Sequence, residues 1–343
     1  MNKKILIIGG AGFIGSNASH YFSKKGYEVT VFDNLYRIGT DKNLNWLKET
    51  HPQIKFIKGD IRKYADLKDA VKGFDVVIHL AAQVAVTTSV VDPRTDFEIN
   101  ALGAFNVLEA VRENGEKPFV IFSSTNKVYG GMEEIKIVEK NGQYAYKDFP
   151  GGISEKSTID FHSPYGCSKG CADQYVRDYF RIYDIPTVVF RQSCIYGPRQ
   201  FGIEDQGWLA WFIIATTLSK FISVYGDGKQ VRDVLYVDDL VRAYDLAIEN
   251  MRNVKGKIYN IGGGPGNTLS VWKQFGGILE KLFGKKLNPK WGPSRPGDQK
   301  VYISDISKIK KELNWTPQVK VEEGIEKLFN WVQENKELFK DFI

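Results

Sequence analysis

The stretch Lys4-Ile5-Leu6-Ile7-Ile8-Gly9-Gly10-Ala11-Gly12-Phe13-Ile14-Gly15 decides how we interpret the rest of this sequence. Residues 4–8 form an apolar run, which is typical of a parallel strand buried on both faces. The glycine-rich run then passes into a helical pattern that continues through Lys25. Glycines permit a tight turn and a helix start presents free N–H groups, so this arrangement predicts a site for a dinucleotide pyrophosphate. The alternative is a turn that only packs helix on strand.

A carboxylate stands where a second strand is predicted to end. That strand runs from Glu28 to Phe32, and Asp33 follows it, eighteen residues after Gly15. A carboxylate at this position binds the ribose hydroxyls of an adenosine and repels a 2′-phosphate. We therefore expect the cofactor to be NAD rather than NADP.

Strand and helix patterns alternate along the first half of the chain. Further strands are expected at 54–57, 75–79, 119–122 and 186–190, and a long amphipathic helix at 95–113. Repeated strand–helix units predict an α/β fold with a doubly wound parallel Rossmann sheet, joined to a smaller C-terminal α/β substrate-binding lobe. Ligands of such sheets bind beyond the carboxyl ends of the strands.

The domain boundaries follow from where this alternation stops. We assign the dinucleotide-binding domain to 1–187, with 231–253 returning to it, and the lobe to 188–230 and 254–343. Several segments are expected to be less regular or purely helical: an irregular loop flanking the site at 131–160, a loop-rich stretch from Ser193 to Gly207, a helix opening at Trp208, and late helices at about 268–283, from Asp305, and at 321–337.

Tyr165 and Lys169 frame the segment Tyr-Gly-Cys-Ser-Lys, on a helix that Pro164 is expected to start. Positions four apart lie on one helix face. An ammonium held near a phenol favours the phenolate, which makes the tyrosine a better proton acceptor. A solvated helix face shows the same spacing by chance, and the glycine turn is what makes the catalytic interpretation stronger.

Composition excludes several classes of protein. The 343 residues carry a net charge of +6, with basic residues scattered among acids, which indicates solvated surface rather than a nucleic-acid footprint. No apolar run approaches the ~20 residues that span a bilayer, and no signal peptide is evident, so we expect a cytoplasmic protein. Three cysteines, Cys167, Cys171 and Cys194, indicate small core residues rather than disulfides or a metal site.

The motifs together resemble a known family. The combination of GGAGFIG, Asp33, HLAAQ, SST before VYG, YGCSK, YGPRQ, GDGKQVRDVLYVDDL and a late RPGDQ is similar to extended short-chain dehydrogenases that act on nucleotide-activated sugars. The likeness covers essentially the whole chain. Within the family, the stretches around SSTNKVYG, DFHSPYGCSKG and Arg199 to Trp208 resemble epimerases that act at carbon 2 of a CDP-linked hexose.

The resemblance implies a role for each matching residue. For the NAD cofactor these are the pyrophosphate turn at Gly9, Gly12, Phe13, Ile14 and Gly15, the ribose partners Asp33 and Asn34, the adenine neighbours Asp60 and Ile61, and the cleft residues Leu80, Ala81, Gln83, Asn100 and Ser123. Tyr165 would transfer the proton, Lys169 would hold the nicotinamide ribose, and Thr125 would bind the reacting hydroxyl. The substrate contacts would come from Thr125, Asn126, Ser193, Gln206, Arg232 and Arg295, the two arginines meeting the diphosphate or else forming surface salt bridges.

Two departures from the family pattern bear on the reaction. Dehydratases and related decarboxylases follow the site Ser/Thr with an acid pair or a Glu, whereas this chain has Asn126 and Lys127. Because no carboxylate is available there to eliminate water, the resemblance implies epimerisation. Cys194 stands where many relatives carry Asn in a loop that contacts the sugar nucleotide, so substrate identity does not transfer directly from UDP-sugar epimerases.

The expected activity is inversion of carbon 2 of a nucleotide-linked hexose through a transient 2-keto sugar. Three alternatives stay open: a UDP-glucose-type 4-epimerase, a net reductase that consumes NADPH, and a non-catalytic dinucleotide sensor. Asp33 opposes the second, and the intact set of Thr125, Tyr165 and Lys169 opposes the third. The resemblance also implies a homodimer or homotetramer formed through the helices at about 95–113 and 164–184.

Overall fold

The computed structural model describes residues 3–295 and 298–340 of the chain. Residues 1–2 and 341–343, at the ends of the two predicted domains, lie outside the described residues, as do Pro296 and Gly297 of the RPGDQ motif. The strands are, in chain order, β1 (Lys4–Ile8), β2 (Glu28–Asp33), β3 (Lys55–Lys58), β4 (Val76–His79), β5 (Phe119–Thr125), β6 (Ile137–Lys140), β7 (Gln143–Tyr146), β8 (Thr187–Gln192), β9 (Cys194–Tyr196), β10 (Ser223–Tyr225), β11 (Val231–Tyr236), β12 (Lys257–Ile261), β13 (Thr268–Ser270), β14 (Lys290–Gly292) and β15 (Val301–Tyr302).

The helices lie between these strands in the order expected for repeated strand–helix units. They are α1 (Phe13–Lys24), α2 (Thr40–Thr50), α3 (Tyr64–Lys68), α4 (Val86–Val91), α5 (Pro93–Phe97), α6 (Gly103–Asn114), α7 (Ser163–Tyr183), α8 (Trp208–Thr217), α9 (Val237–Glu249), α10 (Met251–Val254), α11 (Phe275–Phe283), α12 (Ser307–Leu313) and α13 (Val321–Glu334). A π-helical segment (Glu98–Leu102) joins α5 to α6, and short 3₁₀ segments cover Asn126–Tyr129 and Lys336–Phe339.

Seven strands form one parallel sheet in the order β12-β8-β5-β4-β1-β2-β3. The central strand β1 pairs with β2 on one side and β4 on the other, and Ile8 lies opposite Phe32 and His79. The side chains of Ile5–Ile8 are fully buried, which explains why this strand is apolar at every one of those positions. The predicted doubly wound parallel sheet is confirmed.

The strand order reverses between β1 and β4. From β1 the chain builds outward through β2 and β3, and it then returns to place β4 on the other side of β1. Ligands of doubly wound sheets bind at such a switch point, beyond the carboxyl ends of the strands. The Leu80 and Ala81 N–H groups both donate to the Ile8 carbonyl, at 2.8 and 3.0 Å, so the end of β4 lies directly beside the glycine turn.

The chain divides into two compact units. Unit 1 comprises the described residues up to Val128, together with Ser163–Arg191 and Val241–Tyr259, and unit 2 comprises Tyr129–His162, Gln192–Leu240 and the described residues from Asn260 onward. Each unit has its own apolar core.

These boundaries differ from the predicted ones in two places. The segment 129–162 belongs to unit 2 because its contacts are made there: Tyr129 donates to Asn260 at 2.7 Å, and Gln299 donates to the Gly130 carbonyl at 2.6 Å. The return to unit 1 covers 241–259 rather than 231–253, because β11 pairs with β9, β13 and β15 of unit 2.

The segment 131–160 is not the irregular loop that its polarity suggested. Strands β6 and β7 form an antiparallel hairpin, in which Ile137 pairs with Tyr146 and Lys140 pairs with Gln143. Asn141 and Gly142 make the connecting turn with φ of +55° and +73°. The hairpin is held in unit 2 by the bond from the Tyr144 hydroxyl to Asp227, at 2.7 Å.

Two further predictions about secondary structure were incomplete. The helix expected at 95–113 is interrupted by the π-helical segment Glu98–Leu102, so its face shifts at that point. The late helix expected from 268 begins only at Phe275, because Thr268–Ser270 is strand β13 and pairs with β11. Within the described residues, no helix is both long and apolar enough to cross a membrane.

Candidate active site

The glycine turn after β1 is fixed by the packing of unit 1. Gly9 has a φ of +83°, and a Cβ on it would lie 2.6 Å from the Ala81 backbone nitrogen. A Cβ on Gly15 would lie 2.1 Å from the Gly9 carbonyl oxygen. Both positions therefore require glycine for the fold itself, because the ends of β1, β4 and helix α1 meet there without space for a side chain.

Gly12 is different, and it is the informative glycine of the three. A Cβ on Gly12 would meet one atom within 4 Å, the Gly9 carbonyl oxygen at 3.2 Å, which would have to shift by a few tenths of an ångström, and the other directions around it are open. Gly12 is the N-cap residue of helix α1, whose first turn begins with Phe13 and Ile14. No side chain caps this helix start, and its first turn contains no acidic residue. Free N–H groups, a favourable helix dipole and open space together fit the pyrophosphate of a dinucleotide.

Asp33 lies at the end of β2, buried, against the same turn. Its carboxylate accepts hydrogen bonds from the N–H groups of Ala11, at 3.1 Å, and Leu35, at 2.8 Å. Burial raises the pKa of this carboxyl, and the backbone N–H groups partly offset the effect by favouring the charged form. The neighbouring Asn34 donates to Asp60 at 3.2 Å, which brings the ends of β2 and β3 together.

Asp60 and Ile61, the predicted neighbours of the adenine, each contact other residues of unit 1 that the sequence does not indicate. Arg62 donates to both oxygens of Asp60, and these bonds hold the pKa of that carboxyl at about 2. The Ile61 side chain lies in the core of unit 1, where it packs against Gly103. Any contact of Ile61 with an adenine is therefore left to its backbone.

Tyr165 lies in the first turn of α7 and is buried. Its N–H donates to the Ser89 hydroxyl at 3.2 Å, which fixes the start of α7 against α4. Burial raises the pKa of the phenol to about 12, while a hydrogen bond from Thr125 and the charge of Arg37 act in the opposite direction. The structure thus brings Tyr165 and Thr125 together, as the sequence predicted, at the carboxyl end of β5.

Lys169 lies one helical turn further along α7, also buried. Its ammonium donates to the Ser123 carbonyl at 2.6 Å and lies 4.4 Å above the centre of the Phe122 ring. Burial lowers the pKa of the ammonium to about 8, and the charges of Asp173 and Asp96 oppose that effect. Lys169 was expected to lower the Tyr165 pKa, but the groups that lower it are Thr125 and Arg37, because the ammonium is held on the β5 carbonyl.

Sequence reasoning missed a buried polar cluster beneath α7. Gln83 and Asn100, which were assigned to the cofactor cleft, bind each other through backbone and side-chain bonds at 3.0 Å. Both also donate to Asp96, which in turn accepts a hydrogen bond from Ser168. Asp96 falls within the predicted helix 95–113, where an acid is normally solvated, so no signal in the sequence singled it out.

The substrate residues predicted in unit 2 are each held by a partner in that unit. Arg232 forms an ion pair with Asp298 at 2.5 Å. Arg295 pairs with Asp205 at 3.0 Å, and its guanidinium lies 3.9 Å above the centre of the Tyr225 ring. Both pairs are partly buried, with 12% of the Arg232 side chain and 25% of the Arg295 side chain exposed.

The other predicted substrate residues take local roles. Ser193 donates to the backbone carbonyl of Asp233, at 3.0 Å, and to its carboxylate. Gln206 pairs with Ile203 through backbone bonds beside the left-handed Gly207. Asn126 lies in the 3₁₀ segment directly after Thr125, and the Thr125 hydroxyl lies 3.4 Å from its amide oxygen. No group of three or more potential metal ligands occurs among residues 3–295 and 298–340.

Comparison with known proteins gives consistent findings. A family model described as GDP-mannose 4,6 dehydratase matches residues 6–328. The chain is 43% identical to the CDP-paratose 2-epimerase of Salmonella typhi, over 96% of this chain and 98% of that protein. It is 34% identical to a putative UDP-glucose 4-epimerase of Methanocaldococcus jannaschii, over 96% and 99%.

A solved structure supports the same likeness. UDP-glucuronic acid 4-epimerase from Bacillus cereus, solved in complex with UDP-glucuronic acid and NAD, aligns with a TM-score of 0.83 at 31% identity. The alignment covers 96% of this chain and 99% of that one. The similarity therefore extends over both units rather than over the dinucleotide-binding sheet alone.

Proposed function

This chain belongs to the NAD-dependent nucleotide-sugar epimerase and dehydratase family that the GDP-mannose 4,6-dehydratase model describes, and on that premise we propose that it inverts carbon 2 of a CDP-linked hexose. At the level of the family it is an NAD-dependent nucleotide-sugar epimerase. The finer proposal is the conversion of CDP-paratose to CDP-tyvelose, or of a close analogue. The 43% identity to a CDP-paratose 2-epimerase supports it.

The single observation that carries the proposal is the arrangement of Tyr165, Thr125 and Lys169 at the carboxyl end of β5. Thr125 binds the Tyr165 phenol, and Lys169 is anchored on the carbonyl of Ser123. We propose that Tyr165 takes the proton from the hydroxyl at carbon 2 and returns it after the sugar has presented its other face. NAD, when bound, accepts a hydride from that carbon and gives it back.

The glycine turn fits the pyrophosphate of NAD, and the neighbouring Asp33 disfavours NADP. Gly12 leaves room for the pyrophosphate at the start of α1, and the buried Asp33 carboxylate disfavours a 2′-phosphate. No net oxidation occurs in an epimerisation, so the cofactor has to stay bound between turnovers. We propose that Arg232 and Arg295 of unit 2 hold the diphosphate of the sugar nucleotide.

The residues after Thr125 favour epimerisation over loss of water. Elimination needs an acid and a base beside the sugar, and the positions that would supply carboxylates are Asn126 and Lys127. The alternative within the epimerases is a UDP-glucose-type 4-epimerase, and the 34% identity to the M. jannaschii protein supports it.

The test is product analysis with several nucleotide sugars. We expect the purified protein to convert CDP-paratose to a mixture with CDP-tyvelose, seen by proton NMR at carbon 2, without a net change in nicotinamide absorbance. Inversion of carbon 4 of UDP-glucose in place of this reaction would select the alternative. Steady consumption of added NADPH would instead indicate a reductase and contradict both.

A prediction about Gly12 tests the cofactor site separately from turnover. Gly12 has an ordinary φ of −68°, so alanine fits its backbone, and Gly12→Ala should change the free energy of unfolding by at most about 1 kcal/mol. The new methyl group would occupy the space assigned to the pyrophosphate, and we expect NAD affinity to fall roughly 10- to 100-fold. Titration calorimetry with NAD measures the affinity.

Gly277→Ala is the matched control for Gly12→Ala. Gly277 lies in α11, and a Cβ on it would meet nothing within 4 Å. We expect NAD affinity and stability close to those of the unsubstituted protein. Unchanged NAD affinity in Gly12→Ala would contradict the proposed position of the pyrophosphate.

We propose that two copies of the chain associate through the helices at 95–113 and 164–184. Leu102, Phe105 and Ile182 lie in these segments with large exposed fractions, up to 65% at Ile182. Exposed apolar side chains on these helices support burial against a second copy. Sedimentation velocity measures whether the chain is a dimer, a tetramer or a monomer.

A further inference from the structure

Three buried polar side chains of unit 1 form a closed network beneath α7 together with the half-buried Gln83. Asp96 accepts hydrogen bonds from Gln83, at 2.9 Å, and Asn100, at 3.1 Å, on one oxygen, and from Ser168, at 2.5 Å, on the other. Asn100 also donates to the Ser168 hydroxyl at 3.2 Å. Asn100 lies in the π-helical segment, which places its side chain between the end of β4 and α7.

The charge of Asp96 is balanced in an unusual way. The residue is 1% exposed, and all three hydrogen-bond donors to its carboxylate are neutral. Among the residues that the structure describes, no salt bridge joins a lysine, arginine or histidine to it, and the charge of Lys169 acts on it from farther away. Burial raises the pKa of Asp96, while its three hydrogen bonds and the charge of Lys169 favour the ionised form. When ionised, the carboxylate projects its negative potential into the surrounding low-dielectric interior.

That potential reaches the catalytic pair. Ser168, which donates the shortest of the three bonds to Asp96, directly precedes Lys169 and also lies 3.2 Å from the Tyr165 carbonyl oxygen. The network therefore holds a fixed negative charge against the turn of α7 that carries both residues.

We propose that Asp96 is a positioning residue whose negative charge sets the pH range over which Tyr165 and Lys169 work. The proposal rests on the proposed function, because it assumes that these two groups carry the proton and hold the cofactor ribose. Asp96 itself touches neither substrate nor cofactor in this proposal. Its hydrogen bond from Ser168 positions the turn of α7 that carries both residues, and its negative charge alone sets their pH range.

Asp96 differs from the other charged groups near Tyr165 and Lys169 because its charge acts on both of them. Asp96 raises the pKa of Tyr165 and also that of Lys169. Asp173, paired with Arg191, raises the pKa of Lys169, and Arg37 lowers that of Tyr165. His79 of β4 faces Lys169 but is uncharged, because burial lowers its pKa to about 3.

The sign of the effect follows from these interactions. A nearby negative charge makes any group bind its proton more tightly, so removing the charge lets both Tyr165 and Lys169 lose their protons at lower pH. Asp96→Asn keeps the shape of the side chain and removes the charge. We expect both limbs of the pH–rate profile to move about one unit toward lower pH, in the same direction.

A second readout does not depend on turnover. Because the Lys169 ammonium is assigned to the nicotinamide ribose, NAD affinity should fall as Lys169 loses its proton. We expect the midpoint of this fall to move about one unit lower in Asp96→Asn. Fluorescence titration with NAD between pH 6 and 10 measures it, and absence of turnover with every sugar nucleotide would contradict the proposed function without affecting this result.

Two charge-conserving variants complete the test. Asp96→Glu and Ser168→Ala keep the carboxylate charge while disturbing the hydrogen bonds, so they should lower the rate but leave both limbs and the NAD midpoint in place. Asp178→Asn, an exposed acid on the same helix, is the control for loss of a charge. Limbs and midpoint that stay within about 0.2 units in Asp96→Asn would overturn the proposal. A shift in the charge-conserving variants as large as about one unit would do the same, and this outcome is informative even if Asp96→Asn fails to fold.

Discussion

Replacing Tyr165 with phenylalanine should lower turnover by ~100- to 10,000-fold and leave NAD bound. Phenylalanine keeps the ring that packs in unit 1 and removes only the oxygen that accepts a bond from Thr125. Loss of that oxygen removes the group that takes the proton from the sugar hydroxyl. The expected fall in kcat is therefore the one that is typical when an enzyme loses its general base. The measurement is kcat for the interconversion, together with NAD released on denaturation.

Tyr175→Phe is the matched control for this substitution. Tyr175 lies on the same helix, ten residues further along, and is 45% exposed. The same loss of a phenolic oxygen there should leave kcat unchanged. Turnover of Tyr165→Phe within a factor of about three of the unsubstituted protein would remove Tyr165 from the reaction and leave the proposed function without its base.

Replacing Arg191 with methionine should destabilise the protein by about 3–5 kcal/mol. Arg191 donates to both oxygens of Asp173, at 3.0 and 2.9 Å, and both side chains are almost completely buried. Ser124 donates a further bond to Asp173 at 2.7 Å. Methionine fills much of the volume but leaves a buried carboxylate without its cation, and urea unfolding measures the loss.

Two comparisons isolate the cause of this destabilisation. The double variant Arg191→Met with Asp173→Leu removes both charges and should recover a large part of the lost stability, because no unpaired charge remains. Lys72→Met breaks an exposed pair with Asp69 and should cost less than about 1 kcal/mol. Equal losses in Arg191→Met and Lys72→Met would contradict the assignment of Arg191 as a buried partner.

The sequence predicted the elements whose pattern is local. Strand β1, the glycine turn and α1 follow from an apolar run, glycines and a helical period, all within about 20 residues. The hairpin β6–β7 was missed although its signal was present. Asn141-Gly142 is a two-residue turn favoured in hairpins, but the flanking residues are mostly polar and were interpreted as a loop.

Other features depend on contacts that are distant in the chain. Strand β9 has three residues and exists because it pairs with β11, forty residues later. The sequence of the π-helical segment has the same apolar pattern as the α-helix around it. The change from α- to π-helix therefore cannot be predicted from the sequence. In the candidate site, the positions of Tyr165, Thr125 and the glycines were predicted, whereas the Asp96 network was not, because its burial comes from the packing of α5 on α7.

The tip of the β6–β7 hairpin has a practical use. Lys140, Asn141 and Gly142 are exposed, and a Cβ on Gly142 would meet nothing within 4 Å. Exposed turn tips accept inserted peptides with little disturbance of the strands behind them. A fluorescent or affinity tag inserted at this point would therefore label unit 2 while leaving the chain termini unmodified.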